Sequence, residues 1–165
     1  MKLYKKAFLP LEFSAGALAC GLKKSGKLDL ALFHSNLAAK ACGMFTTNKI
    51  KAAPVKLCQN YLKKNKDFRA IIANSGNANC FTGKIGLADS YSTSLSAAKA
   101  LGVRKDSVLV ASTGIIGKRI SLDKIKGAIP SLAANLSAKG IQDAAVAIMT
   151  TDIFSKEVTV KFSLG

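Results

Sequence analysis

The 165-residue chain carries 25 lysines and arginines against nine aspartates and glutamates, a formal charge of +16, and 49% of its residues are hydrophobic. That apolar content suffices for a buried core and excludes a disordered tail, and no stretch reaches the length of a membrane span. The charge suggests a nucleic-acid face, but only Arg69, Arg104 and Arg119 are arginine, the lysines are scattered, and no basic run or stacking aromatics accompany them. A solvated lysine surface that also attracts acidic metabolites is the reading this leaves.

Residues 1–20, "MKLYKKAFLPLEFSAGALAC", imitate an export signal, but Pro10 and Glu12 interrupt the apolar stretch, so none is expected. Residues 27–35 alternate as a strand does, and 41–48 form a second candidate strand. Residues 52–65 predict a helix entered through Pro54, with Val55, Leu57, Cys58, Tyr61 and Leu62 on one face. Extended structure returns over 68–75. A helix is expected over 85–102, closed by Gly102, and a short buried strand over 106–113.

Residues 121–140 read as a helix capped by Ser121, stopped at Gly140 and kinked or split at Pro130. Residues 143–152 fit a strand or a short helix equally well, and 156–165 alternate as a strand. Strands separated by helices predict one α/β domain over 1–165 with mixed sheets. The cysteines Cys20, Cys42, Cys58 and Cys80 form no C-x-x-C pair and the chain has one histidine, His34. No zinc site is expected, and the thiols read as reduced core residues of a cytosolic protein.

Two strand-to-loop transitions carry the chemistry: "IIANSGNANC" (71–80) and "VLVASTGIIG" (108–117). In each, an apolar strand runs into small residues with glycine, where backbone N–H groups can converge on an anion or a developing oxyanion. Taken alone, either loop fits plain turn chemistry as well. Phosphate-loop, dinucleotide and G-x-S-x-G motifs are absent, and a Ser-His-Asp triad would have to use His34, which reads as structural.

Four stretches, "KACGMFTTNKIKAAPV" (40–55), "IIANSGNANCFTG" (71–83), "VASTGIIG" (110–117) and "AIMTTD" (147–152), stand in an order and spacing that resembles the ornithine acetyltransferase family. These enzymes of arginine biosynthesis are also called glutamate N-acetyltransferases. The resemblance implies a cytoplasmic precursor that cuts itself before a threonine into α and β chains. It also implies a layered α/β/β/α sandwich, incomplete without the β chain, and a heterotetramer of two α and two β chains. The new N-terminal threonine is the nucleophile of a ping-pong transfer, taking acetyl from N-acetylornithine and delivering it to glutamate, without a cofactor. A bifunctional form also accepts acetyl-CoA. The threonine's α-amine, with a pKa of about 8, is suited to take the hydroxyl proton.

Carried onto this chain, the family's oxyanion hole falls on the Thr113 hydroxyl and the Gly114 N–H. A substrate contact falls on Thr150, or on Thr151 if the register moves by one. The amides of Asn74, Asn77 and Asn79 are expected to bond the backbone of a tight loop beside the site. The sequence departs from the family in having "NCFTG" for N-A-C-T-G and "ISLD" for L-P-M-D. It also ends at Gly165, before the family's K-G-x-G-M and A-T-M-L segments. The nucleophile and a substrate-binding lysine therefore fall outside the 165 residues, and this α-chain portion is expected to be inactive alone. The reading from another class is a basic binding domain without chemistry.

Overall fold

Alternating apolar residues in the middle of the chain build a four-stranded sheet, as described by a computed structural model covering residues 1–64 and 67–163. Its strands are β2 (Phe13–Leu18), β3 (Leu30–Ala39), β4 (Phe68–Asn74) and β5 (Val108–Ser112), in that spatial order. The first two pairings are antiparallel, whereas β4 and β5 run parallel, from Ala70 opposite Val108 to Asn74 opposite Ser112. A parallel neighbour requires a crossover, and α2 (Gly83–Leu101) supplies it. Both strands therefore deliver their following loops to the same edge of the sheet. A small second sheet pairs β1 (Lys2–Tyr4) with β6 (Thr159–Lys161).

The two faces of the large sheet are built from different residues. Leu30, Leu32, Ile72, Val108 and Val110 meet α1 (Ala53–Lys64), α2 and α3 (Leu122–Ala134) through Leu57, Tyr61, Ala97, Ile125 and Ile129. On the other face Ala15 and Ala31 lie against Ala144 and Ala147 of α4 (Ile141–Ala147), and their small side chains permit close approach. Away from α4 this second face leaves Phe13 and Ile71 exposed. The buried Cys58 thiol donates to the Val110 carbonyl (3.2 Å) and accepts its N–H (3.3 Å), latching α1 to β5. Burial pushes that thiol's pKa up, and all four cysteines are free.

Most expected elements are present, with α2 closed by Gly102 in the left-handed conformation (φ 64°). The expected helix over 52–65 is α1, residue 65 lying outside the described residues. The ambiguous stretch 143–152 resolves as the end of α4 followed by a turn. The expected strand over 156–165 is only β6, with 164–165 outside the described residues.

Of the four cysteines read as core residues only Cys58 is buried, and Cys42 is exposed. Two expected elements also fail. Residues 41–48 are not a strand, because the β3–β4 ladder ends at the Ala39–Phe68 pair beyond a bulge and offers them no partner. Their loop is closed locally instead, Thr46 Oγ1 and Asn48 Oδ1 accepting the N–H groups of Asn48 and Ile50. The helix over 121–140 runs through Pro130 and stops at Ala134, so proline is not the break. Beyond it, Ser137 and Ala15 exchange both backbone hydrogen bonds at 2.9 Å, pinning the chain to β2. Gly140 precedes α4 instead of ending α3, and a Cβ there would stand 1.9 Å from the Ala15 carbonyl oxygen. Strands β1 and β2 were not expected from the sequence.

Candidate functional site

The loops that leave β4 and β5 side by side are zipped together by their backbones. Thr113 N–H donates to Asn74 O (3.0 Å), Ile115 N–H to Gly76 O (3.4 Å), Ala78 N–H to Ile115 O (2.9 Å) and Gly117 N–H to Cys80 O (2.9 Å). The three buried asparagines complete the closure with both ends of each amide. Asn74 accepts the Ser112 hydroxyl (2.7 Å) and donates to Asn77 O (2.8 Å). Asn77 accepts the Asn79 N–H (2.8 Å) and donates to the carbonyls of Lys118 and Arg119 (3.0 and 3.3 Å). Asn79 accepts the Thr82 hydroxyl (2.8 Å) and donates to Gly86 O and Ser90 Oγ (2.9 and 2.8 Å). The asparagines thus have the backbone-bonding role anticipated for them.

Gly114 sits at the closest point of the two loops. Its φ is 128°, and a Cβ would stand 2.5 Å from the Gly76 carbonyl carbon and 2.6 Å from the Asn77 nitrogen. Only glycine fits.

These loops form one wall of an open cleft of about 870 Å³. Thr113, Gly114 and Ile115 line it, with Lys118 and Arg119 just beyond, and the turn after α4 faces them with Met149, Thr150, Thr151 and Asp152. Thr113, Gly114 and Thr150, with the alternative Thr151, therefore line one space. His34 lies on β3 and does not line this cleft; its Nε2 is buried without a partner, and burial and Arg69 lower its pKa. Among the described residues no three His, Cys, Asp or Glu side chains cluster to hold a metal ion, and no helix is long and apolar enough to cross a membrane.

A third wall escaped sequence reasoning. The turn between β2 and β3 brings Leu22, Lys23, Lys24 and Lys27 to the cleft. It is held by Asp29, fully buried, whose carboxylate accepts the N–H groups of Cys20 (2.7 Å), Leu22 (2.6 Å) and Lys23 (2.9 Å). Burial, with help from Asp29, pushes the Cys20 thiol up to about 12, so it stays protonated and unreactive. Asp29→Ala removes an acceptor shared by three N–H groups and is expected to cost about 2–3 kcal/mol, read from the denaturant midpoint. An aspartate three residues after a glycine-lysine turn is the only signal in the sequence that could have found this wall.

The cleft is strongly cationic. Lys23, Lys24, Lys27, Lys118 and Arg119 line it, and its one acid, Asp152, is paired with Lys156, which holds the carboxyl below its ordinary pKa. Arg119 is fixed by a two-pronged bond to the buried carboxylate of Asp89 (3.0 and 3.1 Å). Such a space suits a carboxylate-bearing ligand.

Fold and site together define a mixed α/β protein whose cation-lined cleft opens where two parallel strands end. The chain belongs to the ArgJ family, whose profile matches residues 14–165. It is 46% identical over 159 residues to the arginine biosynthesis bifunctional protein ArgJ of Caldanaerobacter subterraneus subsp. tengcongensis, covering 96% of this chain and 39% of that protein. The protein of the same description from Gloeobacter violaceus is 44% identical over 153 residues, covering 93% and 38% respectively. The chain thus spans about two-fifths of the length of these curated relatives.

Among solved structures, it superposes on the Mycobacterium tuberculosis ornithine acetyltransferase complexed with ornithine with a TM-score of 0.91 at 38% identity, covering 95% of this chain and 86% of that one. The arginine biosynthesis bifunctional protein of Bacillus halodurans gives 0.84 at 31%, covering 93% and 82%. The α/β fold with mixed strand pairing expected from the sequence is the fold of these proteins.

Proposed function

We propose that residues 1–165 form one domain, most of the α chain of an acetyltransferase that moves an acetyl group from N-acetylornithine to glutamate. The observation that carries this reading is the meeting of Thr113, Gly114 and Thr150 on one cationic cleft from distant parts of the chain. The solved relative that holds ornithine supports the choice of substrate.

In this reading the nucleophile is an N-terminal threonine on the β chain of the same precursor, and its own α-amine takes the hydroxyl proton. Attack on the acetyl carbonyl develops negative charge on oxygen, which receives the Thr113 hydroxyl and the Gly114 N–H. Collapse breaks the C–N bond; ornithine's α-amine leaves with the proton held by the threonine ammonium, and acetyl-threonine remains. The α-amine of glutamate then attacks this ester, the same donors take up the oxyanion a second time, and threonine is regained as N-acetylglutamate departs. Thr150, with Thr151 beside it, contacts the substrate opposite the oxyanion donors, and Lys24, Lys27, Lys118 and Arg119 attract its carboxylate, the Lys23 ammonium being turned to backbone carbonyls. The scheme requires no cofactor, takes place in the cytoplasm, and has the α chain work in a heterotetramer of two α and two β chains, inactive without the β chains.

A form that also accepts acetyl-CoA is the second reading, supported by the relatives described as bifunctional. The test is to incubate the complete enzyme, this chain with its β chain, with radiolabelled N-acetylornithine in the absence of glutamate. One acetyl group per active site is expected on the β-chain threonine, with release of one ornithine and discharge on adding glutamate. Transfer by the 165 residues alone, or turnover that leaves no label on the protein, would overturn the reading.

A further inference from the structure

We infer that Lys23 and Ser75 are positioning residues, which converge on the Ala147 carbonyl at the end of α4 and thereby set where Thr150 stands across the cleft from Thr113. The inference rests on the function proposed above, in which Thr150 contacts the substrate. Ala147 is the last residue of α4, so its carbonyl lacks an intrahelical partner. It receives two donors instead: the hydroxyl of Ser75, fully buried in the loop after β4, and the Lys23 ammonium at 3.3 Å.

Both donors are themselves fixed. Lys23 also donates through Nζ to Leu28 O (2.8 Å) and through its backbone N–H to the Asp29 carboxylate (2.9 Å). The Ser75 N–H donates to the Asp29 carbonyl (2.9 Å). Three walls of the cleft, the turn after β2, the loop after β4 and the turn after α4, are therefore tied at a single oxygen.

Beyond that oxygen the chain is lightly held. Met149 N–H reaches Val146 O at 3.2 Å, and Thr150 N–H reaches Asp152 Oδ2 at a long 3.4 Å. The last strong anchor before Thr150 is thus the one at Ala147, three residues upstream. A displacement of about 1 Å in a substrate-positioning group can cost up to about 10²-fold in rate. The clamp acts on the substrate contact and leaves the oxyanion donors, which are zipped by other bonds, in place.

The test compares Lys23→Met, Lys23→Arg and Ser75→Ala in the complete enzyme, each alone and combined with Thr150→Ala. Lys23→Met and Ser75→Ala are expected to raise KM for N-acetylornithine about tenfold with kcat nearly unchanged. Lys23→Arg, which keeps a charged donor, is expected to recover most of that loss. In the Thr150→Ala background the clamp substitutions are expected to add nothing, because they act through the residue already removed. Amide hydrogen exchange supplies a readout independent of turnover: residues 149–151 are expected to exchange faster in Lys23→Met, with β4 and β5 unchanged.

Losses that add fully to Thr150→Ala, an unaltered KM in an active enzyme, or unaltered exchange at 149–151 would each overturn the clamp. If Ser75→Ala fails to fold, Lys23→Met decides alone, since Lys23 is only half-buried. Absence of acetyl transfer in the unsubstituted enzyme would sink the proposed function instead, and the exchange measurement would still decide the clamp.

Discussion

Replacing Thr113 by alanine is expected to slow acetyl transfer by about 10²–10³-fold, the usual cost of removing one oxyanion donor, without unfolding the protein. The structural work at this position is done by the backbone: Thr113 N–H closes the zipper to Asn74 O, and alanine keeps that bond. The side chain is exposed on the cleft, so its removal opens no cavity in the core. The loss should fall on kcat, because the hydroxyl meets charge that exists only in the tetrahedral state, and KM for N-acetylornithine should barely move. Thr113→Ser retains the hydroxyl and should retain most of the rate. Steady-state kinetics of the complete enzyme check both variants, and near-normal turnover in Thr113→Ala would remove the residue from catalysis.

Gly114→Ala is expected to be the most damaging single methyl in the site, costing more than about 4 kcal/mol of stability together with the activity. Its Cβ would lie 2.5–2.6 Å from backbone atoms of Gly76 and Asn77, and neither can retreat while Ile115 N–H is bonded to Gly76 O. A φ of 128° adds strain that any L side chain would feel. Gly117→Ala provides the control, since it too has a positive φ (79°) but no atom within 4 Å of a built Cβ. It should cost about 1–2 kcal/mol, the conformational penalty alone. Thermal or denaturant unfolding of the pair separates collision from backbone preference, and equal midpoints would show that the two loops are not zipped as described.

The strands that carry the site were legible because β4 and β5 are short, carry the apolar runs "AIIA" and "VLVA" and lead into small residues. Their parallel pairing was not legible, since nothing local in either strand names its partner. Strand β2 was hidden by its composition: in "FSAGAL" Ala15 and Ala17 face α4 while Gly16 faces Leu132 and Leu136, so residues too small to stand out as a hydrophobic period fill both faces. The stop of α3 at Ala134 depends on Ser137 bonding a residue more than a hundred positions away, which no helix rule anticipates. Of the site, Thr113, Gly114 and the asparagines stood out through motif and residue type. The lysine-bearing turn did not, because Lys23, Lys24 and Lys27 read as ordinary surface charge until Asp29 is seen to fold them inward. Thr150 and Thr151 could not be separated by spacing, and both reach the cleft.

The amide network after β4 also restricts how this stretch can change over time. Each of the three asparagines gives with its nitrogen and takes with its oxygen, so conversion to aspartate, by mutation or by slow chemical deamidation, would turn an acceptor oxygen toward a carbonyl that needs a donor. The Ser75 nitrogen, which would have to attack the Asn74 side chain in that ageing reaction, is occupied by Asp29. Asn74 is thereby shielded from that reaction, and so is Asn77, since the Ala78 N–H that follows it donates to Ile115 O.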